Sequence, residues 1–465
     1  MENHFRDLTP LIPDLKVTIQ RSFTVSPTEK TERRFMFLSN IDQGLNFRSE
    51  GLQFFKPNAN YPPNTVIDIL ETACQKILVP YDFLAGRLRL NPHQDRLEID
   101  CNSAGVGFVV ATSDVSVAEI GDLLYPSPVF KQLIAEALDT LGADDQPLCV
   151  LQVTSFKCGG FALGVSCNHA LFDGISFRIF IENLSCVAAG KPLAVNPYNN
   201  RQLLAARSPP RVTFSHPERV KLEITRNVEP SITKTLFEPM PENLVPKIFR
   251  LSADDISKLK QKAKHEGSNP HVTTSFNVVA AHIWRCKALS EDVGENDLDQ
   301  MSTVLYAVDI RPRIRPPLPP SYTGNAILPG YATASFRDIK EAPFSRLVEM
   351  VSVGARRMTD EYARSVIDWI ELYKGIPYGD LLIVSWWRLR FSEVEYPWGR
   401  PSYSFPAVKY RKGLILLIPD IECEGASSSS DQELSVFLSL PIKKMEKFQA
   451  LFREFLSPDT SRSRL

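Results

Sequence analysis

The stretch Phe161-Ala-Leu-Gly-Val-Ser-Cys-Asn-His-Ala-Leu-Phe-Asp-Gly-Ile-Ser-Phe177 decides how this chain is read. Its first part alternates: Phe161, Leu163, Val165 and Cys167 are apolar at every second position, the period of a half-buried strand. After Gly174 the period changes, and Ile175, Ile179, Phe180 and Leu184 recur at helical spacing. Between strand and helix lie His169 and Asp173, four residues apart, with Gly174 immediately after. Gly159 and Gly160 mark the turn that enters the strand. A strand, a tight turn and a helix hold a side chain rigidly and still let it meet solvent, which is where a general base should stand. A bare His-x-x-x-Asp also arises by chance in a chain with seven histidines, and His169 as a structural residue is the competing reading. The strand-turn-helix setting argues for catalysis.

Composition bounds the rest. With 465 residues, 43% of them hydrophobic, the chain can bury one large core or two ordinary ones, and two domains are expected. The 53 basic and 54 acidic side chains give a net charge of -1, and runs such as Arg311, Arg313 and Arg315 are short. No nucleic-acid partner and no anionic membrane surface is expected from such a balance. The eight cysteines (Cys74, Cys101, Cys149, Cys158, Cys167, Cys186, Cys286 and Cys423) form no Cys-x-x-Cys pair, as suits free thiols in a reducing compartment. Neither His-Glu-x-x-His nor paired Cys/His spacing occurs, so no catalytic metal is expected. Residues Met1 to Asp7 carry charges of both signs and do not read as a signal peptide, and no apolar run is long enough to span a membrane. The expectation is a soluble, cytoplasmic monomer without membrane insertion.

Along the chain, residues 1–190 mix strand and helix patterns. Lys16 to Ile19 and Arg96 to Asp100 read as strands, and Thr65 to Leu78 as a helix with Val66, Ile67, Ile69, Leu70 and Ile77 apolar. Over 191–245 the pattern is punctured by Pro192, Pro197, Pro209, Pro210, Pro217, Pro230, Pro239 and Pro241, which reads as a crossover between two domains. The second domain, 246–465, opens with Ser252-Ala-Asp-Asp255, a helix N-cap with acids in the first turn, ahead of Ile256, Leu259 and Ala263. Gly425 to Asp431 is a low-complexity loop. A final helix, Ile442 to Leu456, carries Met445, Phe448, Leu451, Phe452 and Phe455 at core spacing and should dock on the domain.

The segment Thr154 to Phe177 resembles the active-site segment of the BAHD family, the acyl-CoA-dependent acyltransferases of plants. Further resemblances follow in order: Val79-Pro-Tyr-Asp-Phe-Leu-Ala-Gly-Arg-Leu88, Leu97-Glu-Ile-Asp-Cys-Asn102, and Phe276-Asn-Val-Val-Ala-Ala-His-Ile-Trp-Arg-Cys286. Asp309-Ile-Arg311 with Pro316-Pro-Leu-Pro-Pro-Ser-Tyr-Thr-Gly-Asn325, then Ser385-Trp386 and Glu395-Tyr-Pro-Trp-Gly399, complete the series, which runs from about residue 15 to 455. The resemblance implies an α/β fold of two similar mixed-sheet domains, with the active site in a channel at their interface. It implies an acyltransferase that moves an acyl group from acyl-CoA, a co-substrate and not a permanently bound cofactor, to a small-molecule alcohol or amine of plant specialised metabolism. A condensation domain of a peptide synthetase also uses His-x-x-x-Asp, but such domains usually show two adjacent histidines, and here Asn168 precedes His169. A regulatory or scaffold protein on the same fold is the reading of a different class, and the intact His169 and Asp173 argue against it.

The candidate roles are as follows. His169 is the base that takes the acceptor's proton. Asp173 could orient His169 directly; the resemblance instead implies that it points away and pairs with Arg311, holding the loop in shape. Ser385 and Trp386 either line the acceptor side, the indole N–H lying near the reacting carbonyl, or are ordinary core residues. Many family members with hydroxycinnamoyl donors carry Thr or Ser two positions before that tryptophan, where this chain has Val384. Thr274 and Ser275 can serve the CoA moiety with hydroxyls and free N–H groups, or simply cap the helix they open. Trp398 and Gly399 belong, with Arg311, to the structural set. The late signature departs from the family's Asp-Phe-Gly-Trp-Gly at Glu395, Tyr396 and Pro397, and the expectation there is a negative-φ turn, away from the catalytic centre, that buries Trp398 against the second domain.

Overall fold

The alternation in the first half of the chain produces eight strands: β1 (Val17–Val25), β2 (Arg34–Phe37), β3 (Arg48–Phe55), β4 (Arg87–Asn91), β5 (Arg96–Cys101), β6 (Val106–Ser113), β7 (Cys149–Phe156) and β8 (Phe161–Asn168). With them come helices α1 (Asn40–Gln43), α2 (Pro63–Ile77), α3 (Val117–Ile120) and α4 (Gly174–Ala188). This is a computed structural model, and it describes residues 12–121, 123, 127–221, 244–266, 271–406, 413–419 and 433–457. Cys423 and the loop expected from Gly425 to Asp431 lie outside the described residues.

The remaining strands are β9 (Arg219–Val220), β10 (Leu244–Leu251), β11 (Met301–Asp309), β12 (Ile327–Ser335), β13 (Ile376–Pro377), β14 (Leu381–Ser385), β15 (Tyr403–Pro406), β16 (Leu414–Pro419) and β17 (Leu434–Pro441). The second-half helices are α5 (Ala253–His265), α6 (Ser275–Leu289), α7 (Phe336–Glu341), α8 (Phe344–Arg357), α9 (Asp360–Tyr373) and α10 (Ile442–Leu456). Two mixed six-stranded sheets result, in the orders β1-β6-β7-β8-β3-β15 and β10-β17-β16-β14-β11-β12. This is the expected α/β architecture of two mixed sheets with helices. One strand crosses over: β15, from the second half of the sequence, pairs antiparallel with β3 and closes the edge of the first sheet.

Each sheet is covered by helices on one face. On the first, Leu163, Val165 and Cys167 of β8 share a core with Val66, Ile67, Leu70, Ala73, Cys74 and Ile77 of α2 and with Phe180, Ile181 and Leu184 of α4. On the second, strand residues such as Val304, Tyr306, Ile383 and Val436 pack with Val278, Trp284, Val348 and Phe448 from helices. The opposite faces meet: Leu52, Phe54 and Ala162 share an apolar cluster with Leu416, Ile418 and Phe437. Full burial of each large apolar side chain is worth about 1.5–3 kcal/mol, so this seam joins the two sheets strongly.

Local elements follow their sequence signals with small shifts. The strand expected at Lys16 to Ile19 begins at Val17 and extends to Val25, and the helix expected from Thr65 starts two residues earlier, with Pro63 in its first turn, where a missing N–H costs nothing. In α10, Met445, Phe448, Phe452 and Leu456 are buried, and Leu451 and Phe455 pack at the margin of the same core. Of the described cysteines, Cys158 is exposed and Cys186 half-buried, and the other five are buried free thiols. Among the described residues, no helix is long and apolar enough to cross a membrane.

The turn at 396–399 corrects one expectation. Tyr396 and Gly399 exchange backbone hydrogen bonds of 3.3 and 2.9 Å, so Pro397 and Trp398 occupy the centre of a tight turn. Trp398 is buried, but against the first half of the chain: its ring stacks on Tyr396 at 5.1 Å and meets Phe55 and Phe161 edge-on at 6.1 and 5.9 Å. The aromatic core beneath β3 and β8 offers a large flat apolar surface, and the turn folds back over it. Gly399 has φ +110°, and a Cβ there would meet nothing within 4 Å, so its cost would be purely conformational. Gly399→Ala should therefore destabilise by about 1–2 kcal/mol, and Pro397→Gly by about 0.5–1 kcal/mol through unfolded-state entropy. Chemical denaturation of the two variants checks this, with unchanged midpoints refuting the turn's contribution.

Candidate active site

Strand β8 ends at Asn168, and the chain is caught at once. The His169 N–H donates to the Phe47 carbonyl at 2.8 Å, and the Asn168 side chain accepts from the Ala170 N–H at 2.9 Å, closing a tight turn at the strand end. The ring leans on Phe47 with centroids 5.1 Å apart. His169 keeps part of its surface open, while its Nδ1 is enclosed and meets no hydrogen-bond partner among the described residues. Burial lowers its pKa below the ordinary imidazole value, opposed by its own carbonyl, the charge of Asp173, the Asn325 side chain and the charge of Asp42. A depressed pKa leaves the imidazole neutral at neutral pH. That is the form a base requires.

Asp173 does not touch His169. It is the N-cap of α4, accepting from the Ser176 N–H at 2.9 Å, and both of its oxygens are occupied. Arg311 Nη2 lies 2.8 Å from Asp173 Oδ2 and 3.0 Å from Oδ1, and the Ala326 N–H donates to Oδ2 at 2.9 Å. The same guanidinium donates to Ser176 Oγ at 2.9 Å and to the Gly324 carbonyl at 3.1 Å, and its Nη1 pairs with Asp309 at 3.1 Å. Of the two roles open for Asp173, the geometry is that of the ion pair with Arg311.

A second buried ion pair, with no signature in the sequence, holds the other side of the loop. Asp42, locked by a capping box with Ser39, lies 2.9 Å from Arg201 Nη1, and neither side chain is exposed. Arg201 then donates to the carbonyls of Ala170 at 2.9 Å and Leu171 at 2.7 Å, the two residues after His169. Asn325 bridges this network to His169, its Nδ2 donating to Asp42 Oδ1 at 2.8 Å and to the His169 carbonyl at 2.9 Å. Gly324 permits the approach, since a Cβ there would stand 2.5 Å from Arg201 Nε. Asp42 and Arg201 lie in segments with no periodic or motif signal, whereas Asn325 sits within a stretch already singled out.

The acceptor-side candidates follow β14. The Trp386 backbone N–H donates to the Leu417 carbonyl at 2.7 Å, and the indole ring packs on Phe391 at 4.7 Å. Phe391 reaches Phe177 of α4 at 5.7 Å, and Leu389 lies so close to Gly174 that a Cβ there would stand 2.8 Å away. The segment 386–391 is thus brought against the start of α4, and Trp386 packs on both the first-half core and the seam between sheets. Ser385 is half-buried beside it, and Val384 joins the seam, bringing no hydroxyl. Thr274 caps α6, accepting from the Asn277 N–H at 3.2 Å, with its side chain exposed and Ser275 next to it. Among the described residues, no cluster of three or more His, Cys, Asp or Glu could hold a metal ion.

Removing one partner of a buried ion pair typically costs about 3–5 kcal/mol, because the other charge stays buried and uncompensated. Asp173→Asn and Arg311→Met should each lower the melting temperature and activity, with the double variant less than additive. Independent effects in the double-mutant cycle would show that the pair does not act as a unit.

The profile of the Transferase family matches residues 15–455. The chain is 51% identical over 462 residues to "Acyltransferase GLAUCE" of Arabidopsis thaliana, covering 98% of this chain and 100% of the relative. It is 34% identical over 453 residues to shikimate O-hydroxycinnamoyltransferase of Nicotiana tabacum, covering 95% and 100%, and 31% identical over 457 residues to omega-hydroxypalmitate O-feruloyl transferase of Arabidopsis thaliana, covering 97% and 96%. In fold it is similar to vinorine synthase, with a TM-score of 0.72 at 22% identity, covering 95% of this chain and 100% of that one. It is also similar in fold to F. graminearum TRI101 complexed with coenzyme A and T-2 mycotoxin, with a TM-score of 0.69 at 14% identity, covering 90% and 97%. Ordered motifs, two facing mixed sheets and a full-length family match agree: the chain belongs to the Transferase family of BAHD enzymes and is an acyl-CoA acyltransferase.

Proposed function

We propose that this enzyme transfers an acyl group from a CoA thioester to the hydroxyl of a small-molecule acceptor, both substrates bound together in a channel between the two sheets. The observation that carries the reading is the placement of His169: its imidazole is fixed at the end of a strand by hydrogen bonds to its backbone on both sides, among the described residues no carboxylate bonds to its ring, and burial lowers its pKa. Its Nε2 takes the acceptor proton as the acceptor oxygen attacks the thioester carbonyl. The tetrahedral oxyanion then collapses, the C–S bond breaks, and the proton passes from Nε2 to the departing CoA sulfur. No acyl-enzyme is needed, because the thioester is already activated.

The other roles follow from position. Trp386 lines the acceptor side with Ser385, and with Val384 lacking a hydroxyl, the indole N–H becomes a principal donor to the oxyanion. Thr274 and Ser275, at the exposed start of α6, offer hydroxyls and N–H groups to the CoA moiety. Arg311, Trp398 and Gly399 hold structure. The reading divides the chain into an N-terminal domain, 1–190, a crossover, 191–245, and a C-terminal domain, 246–465, with β15 exchanged between them. A hydroxyl acceptor is favoured by the names of two relatives, which act on shikimate and omega-hydroxypalmitate as O-acyltransferases. A cytoplasmic monomer accords with the free thiols.

Purified protein incubated with a panel of acyl-CoAs and plant extract, followed by thiol release and acceptor mass shift, tests the activity. His169→Ala should lower kcat by about 100- to 10,000-fold with CoA affinity and melting temperature nearly unchanged. Activity within a few-fold of wild type would remove His169 from catalysis and favour a role independent of it.

The pH dependence has a definite sign. Because burial lowers the His169 pKa, the rate should fall on the acid side with a midpoint below roughly 6.5, the value of a free imidazole. Folding linkage runs the same way, since the group resists protonation in the native state and its contribution to stability is lost as pH drops below the unfolded value. An acid-side midpoint at or above roughly 6.5, with chemistry limiting, would contradict this.

Trp386→Phe keeps the ring but loses the indole N–H. Loss of one oxyanion donor costs about 2.7–4 kcal/mol elsewhere, so kcat should fall at least about tenfold here. An unchanged kcat would show that other groups hold the oxyanion.

A further inference from the structure

Two buried atoms near the base lack partners, and they are complementary. Asn325 is fully buried. Its backbone N–H and its Nδ2 both donate to Asp42 Oδ1, at 3.2 and 2.8 Å, and Nδ2 donates again to the His169 carbonyl at 2.9 Å. With both amide protons directed at oxygens, the side chain cannot be flipped, because Oδ1 would then face a carboxylate and a carbonyl. That leaves Asn325 Oδ1 as a fixed acceptor, and it is buried without a hydrogen-bond partner among the described residues. His169 Nδ1, a potential donor, is in the same condition. A buried polar atom left unpaired costs about 1–3 kcal/mol, so two complementary ones on residues already joined by one hydrogen bond call for an explanation.

We propose that Asn325 is the positioning residue of the base: a small rotation of the imidazole hands Nδ1–H to Asn325 Oδ1, fixing the tautomer that leaves the Nε2 lone pair free for the acceptor hydroxyl. Catalytic hydrogen bonds are commonly loose in an empty site and tighten when substrate is bound. The Asn325 side chain already acts on the ring, being among the groups that raise the His169 pKa against the larger effect of burial. The charged groups around the base are Asp42 and Asp173, each tied to its own guanidinium, Arg201 and Arg311. Neither carboxylate touches the ring, so the neutral amide is left to orient it. The competing acceptor for Nδ1 is the carbonyl of His169 itself, which raises the pKa more than Asn325 does and keeps one lone pair beyond the Asn325 Nδ2 bond, so the Asn325→Ala variant decides between the two. This inference rests on the reading of His169 as the base, but its test does not.

The experiment is a pH titration of selectively 15N-histidine-labelled enzyme by two-bond proton–nitrogen NMR, with His169→Ala identifying the signal among the seven histidines. In the wild type, neutral His169 should be the Nδ1–H tautomer. In Asn325→Ala the tautomers should mix, and the midpoint should move to lower pH, since a group that raises the pKa has been removed. With the acyl-CoA giving the fastest thiol release, kcat should fall about five- to tenfold, the loss of one orienting hydrogen bond, with KM for the thioester unchanged. Asn325→Ser, which keeps a small polar group, should fall between the two and serves if the alanine variant does not fold. A merely structural asparagine would lower the melting temperature without moving tautomer or midpoint, and that result would overturn the proposal. If instead the NMR behaves as stated while His169→Ala retains full activity, the reading of His169 as the base fails and the proposal with it, leaving only the orientation of the ring by Asn325.

Discussion

The buried pair between Asp173 and Arg311 is the constraint on which the site depends. It joins the first turn of α4, in the first half of the chain, to the loop between β11 and β12 in the second. Taking two charges out of water is expensive, and it is tolerated here because Asp173 also accepts from two backbone N–H groups while Arg311 also donates to Ser176 and to the Gly324 carbonyl. The helix start contributes as well, since a carboxylate at an N-cap meets the positive end of the helix dipole. One carboxylate therefore caps a helix, neutralises a guanidinium and pins a loop of the other half. No smaller polar residue could satisfy all three demands.

The Asp42–Arg201 pair completes the clamp from the opposite side, so the loop that carries His169 is held at Ala170 and Leu171 as well as at Asp173. This arrangement also explains why the carboxylates stay off the base. A carboxylate bonded directly to the imidazole would stabilise its protonated form and raise its pKa. Kept one step away and spent on guanidinium groups, Asp42 and Asp173 exert a weaker pull, and burial wins. The loop obtains rigidity from charge without surrendering the neutral imidazole.

The legible part of this structure is its local part. The alternation of Phe161 to Cys167 and the helical spacing after Gly174 place β8 and α4 because each pattern reports burial within a few residues. The family resemblance carried the Asp173–Arg311 pairing, which spacing alone left open. Asp42 and Arg201 were illegible because an isolated aspartate and arginine in unpatterned segments carry no sign of each other, and only the fold brings them together. Trp398 was misplaced for a related reason: its burial is written in its size, but the core that receives it belongs to strands hundreds of residues earlier. The exchange of β15 is illegible for the same reason, since four residues with strand character do not specify which sheet they join.

The two halves of the site are held by different forces, and this bears on how such an enzyme can change its substrate. The base is fixed by a polar network in which most partners are saturated, so substitutions there are punished by uncompensated charge. The proposed acceptor side, from Val384 through Phe391, is held by aromatic and aliphatic packing: Trp386 on Phe391, Phe391 on Phe177, Leu389 over Gly174. Volume-conserving exchanges within apolar packing usually cost less than about 1.5 kcal/mol. Val384 is an apolar residue of this seam, open to apolar exchanges of similar volume, whereas a hydroxylated replacement would also need a hydrogen-bond partner. The wall proposed to face the acceptor can therefore change while the surroundings of His169 stay fixed, because no hydrogen bond of the Asp173–Arg311 or Asp42–Arg201 network passes through Val384, Ser385 or Trp386.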